Sequence, residues 1–202
     1  MWMIERNSSL KSDQVQGTYE YLASVHRTLF LYGPVFGLPQ RMDAFNASSL
    51  ADTILAMGKF DSSRPIKLVL DSEGGSVRDG LVLYDAIKMS PCEVWTFGRM
   101  CYSMAAVLLS AGTKGRRYVY PNSHIMLHLP SGSTQGDVES VKIYTDELKK
   151  TKDVLVDRLI ENGVRHKKAK IMRDINREYF MTANQAIDYG IADKIASQNE
   201  LY

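Results

Sequence analysis

The stretch Pro65–Pro91, PIKLVLDSEGGSVRDGLVLYDAIKMSP, changes its hydrophobic period across a glycine pair. Pro65–Ser72 is too continuously apolar for a half-exposed strand and predicts a buried one. After Gly74-Gly75, apolar residues recur at helical spacing (Val77, Leu81, Tyr84, then Ile87 or Lys88), and the run stops before Pro91. Strand, glycine turn and helix in this order are the first half of a βαβ unit.

The order recurs on both sides. TLFLYG (28–33) predicts a strand closed by Gly33-Pro34, and NASSLADTILAM (46–57) a helix with Leu50, Ile54 and Leu55 on one face. EVWTFG (93–98) predicts the next strand, GRMCYSMAAVLLSAG (98–112) a turn and a buried helix, and RRYVYPN and SHIMLHLP two further short strands. Strands alternating with helices imply an α/β fold, a largely parallel sheet and right-handed crossovers.

Beyond Pro130 the composition changes. PSGSTQG is a loop of small residues, and DVESVKIYTDELKKTKDVLVDRLIENG (137–163) predicts one polar helix about 40 Å long at about 1.5 Å per residue. Thr134 and Asp137 have capping-box spacing, Val141, Leu148 and Leu155 lie seven apart, and Gly163 stands at the C-terminal glycine position. Part of so long a helix is expected to project and meet another subunit. In the tail, RHKKAKIMRDIN predicts a basic helix, Glu178–Met181 an extended stretch, and Thr182 with Gln185 the capping box of a short helix ending at Gly190.

With 202 residues, 45% of them hydrophobic, the chain is long enough to bury a substantial core in one soluble unit. A net charge of +2 is too balanced for nucleic acid to be the main partner. Cys92 and Cys101 show neither C-x-x-C spacing nor a histidine cluster, so neither a metal site nor a disulfide framework is expected. The opening MWMIERNSSLKSD carries Glu5 and Arg6 where a signal peptide needs an apolar stretch, and no segment approaches about 20 uninterrupted apolar residues. The chain therefore reads as cytoplasmic, with no membrane partner.

In an open parallel sheet, ligands bind beyond the carboxyl ends of the strands. Two successive strand-to-helix loops, DSEGGS and GRMCYSM, should face that same side. Gly74 and Gly75 permit close backbone approach to a substrate. Ser103 reads either as a helix cap or as a nucleophile at the N-terminus of a buried helix. A nucleophilic serine needs a base and a group to orient that base. His128, at the end of a strand beside Pro130, is better placed for an open cleft than His124, His26 or His166. Cys101 and Ala105 replace the glycines of a G-x-S-x-G elbow, which disfavours an α/β-hydrolase.

Taken together, LVLDSEGGSV, SMAAVLLSAGTKGRRYVYPNSHIMLHLP and FMTANQAIDYGIADKI resemble the three motif blocks of the proteolytic subunit of the Clp protease, in the same order, from about Thr18 to Ile195. The resemblance implies a spiral of βαβ units (the Clp/crotonase-like fold) with a protruding helical handle. It divides the chain into an N-terminal axial segment (1–27), a βαβ head core (28–130), a handle strand and long helix (131–163) and C-terminal head elements (164–202). It makes Ser103 the nucleophile, His128 the general base and acid, and Glu178 the orienting acid, with the N–H groups of Gly75 and Met104 as oxyanion hole. No cofactor or metal is needed.

The same resemblance implies stacked heptameric rings that degrade unfolded polypeptides delivered by an ATP-dependent unfoldase. Its alternatives are a catalytically impaired ring subunit, a processing peptidase working without an ATPase, and an acyl-CoA-acting enzyme of the same fold. Four positions depart from the family pattern. Glu178 replaces an aspartate, with Asp174 as the other candidate acid; Tyr102 stands where the family has a small residue; Ala105 replaces a glycine. Asn176 replaces the acid that commonly accompanies Arg177 in linking the rings.

Overall fold

A computed structural model describes residues 21–35 and 46–201. Five strands run in the order β1 (Thr28–Tyr32), β2 (Ile66–Ser72), β3 (Val94–Tyr102), β4 (Arg117–Leu127) and β5 (Tyr179–Thr182), with the short β6 (Lys194–Ile195) also on β4. β1 to β4 are parallel, and β5 is antiparallel to β4. Between them lie α1 (Ala47–Phe60), α2 (Val77–Met89), α3 (Met104–Ala111), α4 (Val138–Glu161), α5 (Lys168–Asp174) and α6 (Ala183–Tyr189).

The helices start where their side chains satisfy the first free N–H groups. Asn46 accepts from the N–H of Ser49 at 2.7 Å at the head of α1, and Ser76 accepts from that of Asp79 at 3.2 Å at the head of α2. Thr182 and Gln185 make the reciprocal capping box of α6, which closes on Gly190 at φ 94°.

The main core lies on one side of the sheet. Leu29, Leu68, Leu70, Cys101, Ile125 and Leu127 face α1 to α4 there, and α3 is buried along its whole length. On the other side Val69, Phe97 and Tyr118 form a separate aromatic cluster with Phe30, Trp95 and Tyr120, and no residue of α1 to α6 joins it. None of α1 to α6 covers that face of the sheet.

β4 is one strand where the sequence suggests two. Its register with β3 jumps from Gly98↔Val119 to Met100↔His124, which bulges Tyr120–Ser123 out of the ladder. Pro121, which has no N–H to give, sits in that bulge rather than breaking the strand. The buried hydroxyl of Ser123 replaces the lost ladder bonds, accepting from Tyr120 N–H at 2.7 Å and donating to the Gly98 carbonyl at 2.6 Å.

α4 is anchored at one end only. Leu155, Val156 and Leu159 are buried, whereas Val138 and Ile143 near its start are 81% and 69% exposed. Just past its C-terminus, Asn162 accepts from Tyr84 Oη at 3.0 Å and Lys88 Nζ at 3.3 Å, and donates to Ser110 Oγ at 2.9 Å. Arg117 donates to the Asn162 carbonyl at 2.9 Å and is itself paired with Asp193 at 2.6 Å.

Two details differ from the expectations. Asp137 is itself the N-cap of α4, accepting from the N–H groups of Glu139 and Ser140 at 3.0 Å each, so Thr134 lies outside the cap. Residues 131–136 form no strand, and all six are exposed. Of the expected axial segment 1–27, residues 1–20 lie outside the described residues.

Candidate active site

Ser103 follows directly on β3 and precedes α3 in a conformation that L-residues avoid, φ 55° and ψ −122°. Such a backbone costs roughly 1–3 kcal/mol and persists only where neighbours enforce it. Here the Ser103 N–H donates to the carbonyl of Met126 on β4 at 2.8 Å, locking the turn to the next strand. The side chain does not cap the helix. Its Oγ lies instead 2.8 Å from Nε2 of His128, the first residue after β4. Met104 is the first residue of α3, so its N–H has no carbonyl within the helix to bond.

The glycine loop after β2 closes on the same turn. Val35 donates to the Gly74 carbonyl at 2.7 Å and accepts from the Ser76 N–H at 2.8 Å, a parallel bridge centred on Gly75. In such a bridge the central residue turns its own N–H away from the partner, so the Gly75 N–H points off the Val35 side. Gly74 and Gly75 have φ 93° and 145°. A Cβ on Gly74 would stand 2.6 Å from the Tyr102 carbonyl and 3.0 Å from the Met104 nitrogen. Only glycine brings this backbone so close to the serine turn. The glycine loop thus lies directly against the serine turn and the start of α3.

Ser103 and His128 open onto an apolar cleft lined by Val77, Val107, Leu155, Leu159 and Ile175. Helix α4 supplies one wall, so the buried end of the long helix shapes the site. Tyr102, whose side chain points to the other face of the sheet, packs edge-on against Phe180 of β5 with ring centroids 5.8 Å apart. Met126 stands between them in register and is buried.

The remaining candidates fall at different distances from the pair. β4 and β5 are in register to Leu127↔Tyr179, and the next residue on each strand is His128 and Glu178. Continuing the ladder by one step sets Glu178 opposite His128, but its side chain is exposed and makes no hydrogen bond to the ring. Asp174 is occupied elsewhere, accepting from Lys170 Nζ at 2.6 Å and Tyr189 Oη at 3.1 Å. Arg177 is exposed and donates to the carbonyl of Asn176. His124 is exposed, and His166 packs on Tyr189 at 4.5 Å.

Two features are not anticipated by the sequence reasoning. Val35 holds the glycine loop, although nothing beyond its apolar character after Gly33-Pro34 marks it. Lys152 lines the cleft with Ser103 and His128; its signal is visible in retrospect, since it falls on the helical stripe of Leu155, Val156 and Leu159.

Comparison with known proteins gives a separate line of evidence. A family profile described as Clp protease matches residues 18–199. The chain is 38% identical over 150 residues to the ATP-dependent Clp protease proteolytic subunit of Ligilactobacillus salivarius, covering 74% of this chain and 76% of the relative. It is 35% identical over 173 residues to the ATP-dependent Clp protease proteolytic subunit 2 of Corynebacterium diphtheriae, covering 85% and 86%. It is also 35% identical over 173 residues to subunit 1 of the same protease from Corynebacterium jeikeium, covering 85% and 91%.

Proposed function

Since the chain belongs to the Clp protease family, whose proteolytic subunits are serine-type endopeptidases, we propose that Ser103 and His128 hydrolyse peptide bonds here by acyl transfer. His128 Nε2 takes the hydroxyl proton as Ser103 Oγ attacks the carbonyl carbon. The resulting oxyanion is held by the N–H groups of Gly75 and Met104, each such donor being worth roughly 3–4 kcal/mol in the transition state. His128 returns the proton to the leaving amine, and an acyl-enzyme remains. Water, deprotonated by the same ring, releases the acyl group and restores the serine. Glu178 orients and stabilises the charged imidazole from the adjacent strand.

The observation that carries this is the 2.8 Å approach of His128 Nε2 to Ser103 Oγ beside an apolar cleft. The strained serine backbone supports it, since a mere cap would gain nothing from such a conformation. The aromatic face of the sheet that α1 to α6 leave uncovered and the exposed start of α4 are the surfaces on which neighbouring subunits pack, in stacked heptameric rings with Arg177 at a ring contact. The rings enclose the sites in a cytoplasmic chamber that receives polypeptides from an ATP-dependent unfoldase. A fluorophosphonate probe tests the chemistry: wild-type protein is expected to label at Ser103, and Ser103→Ala not to label. Wild-type protein that stays unlabelled in its assembled form would sink the reading.

A further inference from the structure

A second hollow opens on the face of the sheet opposite the Ser103 cleft. Its volume is about 390 Å³, and Asp71, Arg99, Tyr102, Tyr120, Asn122 and His124 line it. Two departures from regular pairing make it. From Leu70 to Ser72, β3 advances three residues for two of β2, and from Gly98 to Met100, β4 advances five for two of β3. Both irregularities span Arg99, so the ladder parts there and the neighbouring side chains stand around a gap. Tyr102, the departure from the family pattern that precedes Ser103, is part of its wall.

Arg99 is fixed in advance. Its guanidinium lies 5.3 Å from the ring centroid of Tyr120 and 6.0 Å from that of Tyr32, and Nη1 donates to Tyr32 Oη at 3.3 Å. A carboxylate oxygen of Asp71 stands 3.9 Å from the same nitrogen, beyond hydrogen-bond distance, with the two side chains 43% and 33% exposed. So open an ion pair contributes little by itself, and a ligand that meets both charges displaces it at small cost. The hollow thus presents one cation, one anion and two phenol rings in a space of small-ligand size. Asn122 and His124 add hydrogen-bonding groups at its exposed rim.

We infer that this hollow binds a free α-amino acid with an aromatic side chain. The ligand carboxylate meets the Arg99 guanidinium, its ammonium meets Asp71, and its ring packs against Tyr102 and Tyr120. In such a ligand a single carbon separates the two charged groups, which suits a guanidinium and a carboxylate standing side by side. A simple anion is repelled by Asp71 and a simple cation by Arg99. A residue inside a polypeptide carries neither terminal charge, so the site separates free amino acids from the chains around them. The assignment is independent of any role for Ser103.

Calorimetric titration of the assembled protein with L-phenylalanine tests this, with N-acetyl-L-phenylalaninamide as the same side chain stripped of both charges. Phenylalanine is expected to bind saturably with half-saturation at about 1 mM or below, and the blocked derivative at least about tenfold more weakly, the scale of charged hydrogen bonds lost. Arg99→Gln and Asp71→Asn should each weaken phenylalanine binding by about tenfold with little change in melting, since both side chains are partly exposed. Ser103→Ala should bind phenylalanine as wild-type protein does, which keeps the ligand out of the cleft. Absence of saturable binding, equal binding of the blocked derivative, or undiminished binding in both charge variants would each overturn the inference. Loss of binding in Ser103→Ala would overturn it too, by moving the ligand to the cleft.

Discussion

Gly74 and Ser103 touch across two loops: a Cβ on the glycine would stand 2.7 Å from the Cβ of the serine. The glycine also holds φ 93°, so a side chain there meets both backbone strain and a steric block. Gly74→Ala is expected to destabilise the fold by roughly 2–4 kcal/mol, the combined scale of a left-handed L-residue and an overpacked contact. Peptidase activity should fall by about 100-fold or more, since displacement by about 1 Å at a reacting group costs that much. Thermal melting and peptide turnover on the same preparation check both. Unchanged turnover would remove the glycine loop from the site.

The two acids proposed for orienting His128 give opposite outcomes. Glu178→Gln should lower kcat by about 100-fold or more while leaving melting nearly unchanged, because the side chain is exposed and loses no structural bond. Asp174→Asn should leave kcat within about threefold but lower stability by roughly 1–3 kcal/mol, since it weakens the bonds to Lys170 and Tyr189. The reverse pattern would transfer the role to Asp174.

Acid sensitivity is expected at the Arg117–Asp193 pair. Burial pushes the Asp193 carboxyl up, but the guanidinium of Arg117 and the N–H groups of Arg117 and Gly115 outweigh it and hold the group below the ordinary carboxylate range. A lowered folded-state value means stability that is fully present above about pH 4 and is lost as pH falls through the folded value. Asp193→Asn should flatten the stability profile in that acid window, as read by urea unfolding at stepped pH. Arg117→Met, which strands the carboxylate, should cost roughly 3–5 kcal/mol at neutral pH.

The two free thiols should differ in reactivity. Cys101 is fully buried, and desolvation pushes its thiol well above the usual range. Cys92 is half-buried, with Sγ 3.5 Å from a guanidinium nitrogen of Arg27. Native protein is expected to titrate about one thiol per chain with a disulfide reagent, and a second only after unfolding. Rapid modification of both in native protein would contradict the buried position of β3.

Much of this architecture is legible from local chemistry. Pro65–Pro91 yields β2, the glycine turn and α2 because buried strand, positive-φ turn and amphipathic helix each leave a separate mark in composition. Ser103 and His128 are legible as types at strand ends. What escapes is set by long-range pairing. The bulge that carries β4 past Pro121 depends on β3 as partner, and the bridge from Val35 to Gly75 has no periodicity to announce it. The cap of α4 lies about one turn beyond Thr134, since Thr134 and Asp137 both suit the position by residue type and the Asp137 side chain is the one that accepts from the first free N–H groups.

The β4–β5 ladder joins residues on either side of the 24-residue helix α4. Ser103 and His128 are therefore synthesised well before Glu178, and the strand that delivers Glu178 can pair only after α4 has left the ribosome and folded back. Pairings this distant in sequence form late. On the assignment proposed above, a nascent chain carries Ser103 and His128 without the strand of Glu178 beside them, so hydrolytic competence is deferred until the C-terminal segment is complete. The chain order itself delays the appearance of a peptide-cleaving centre among unfinished polypeptides.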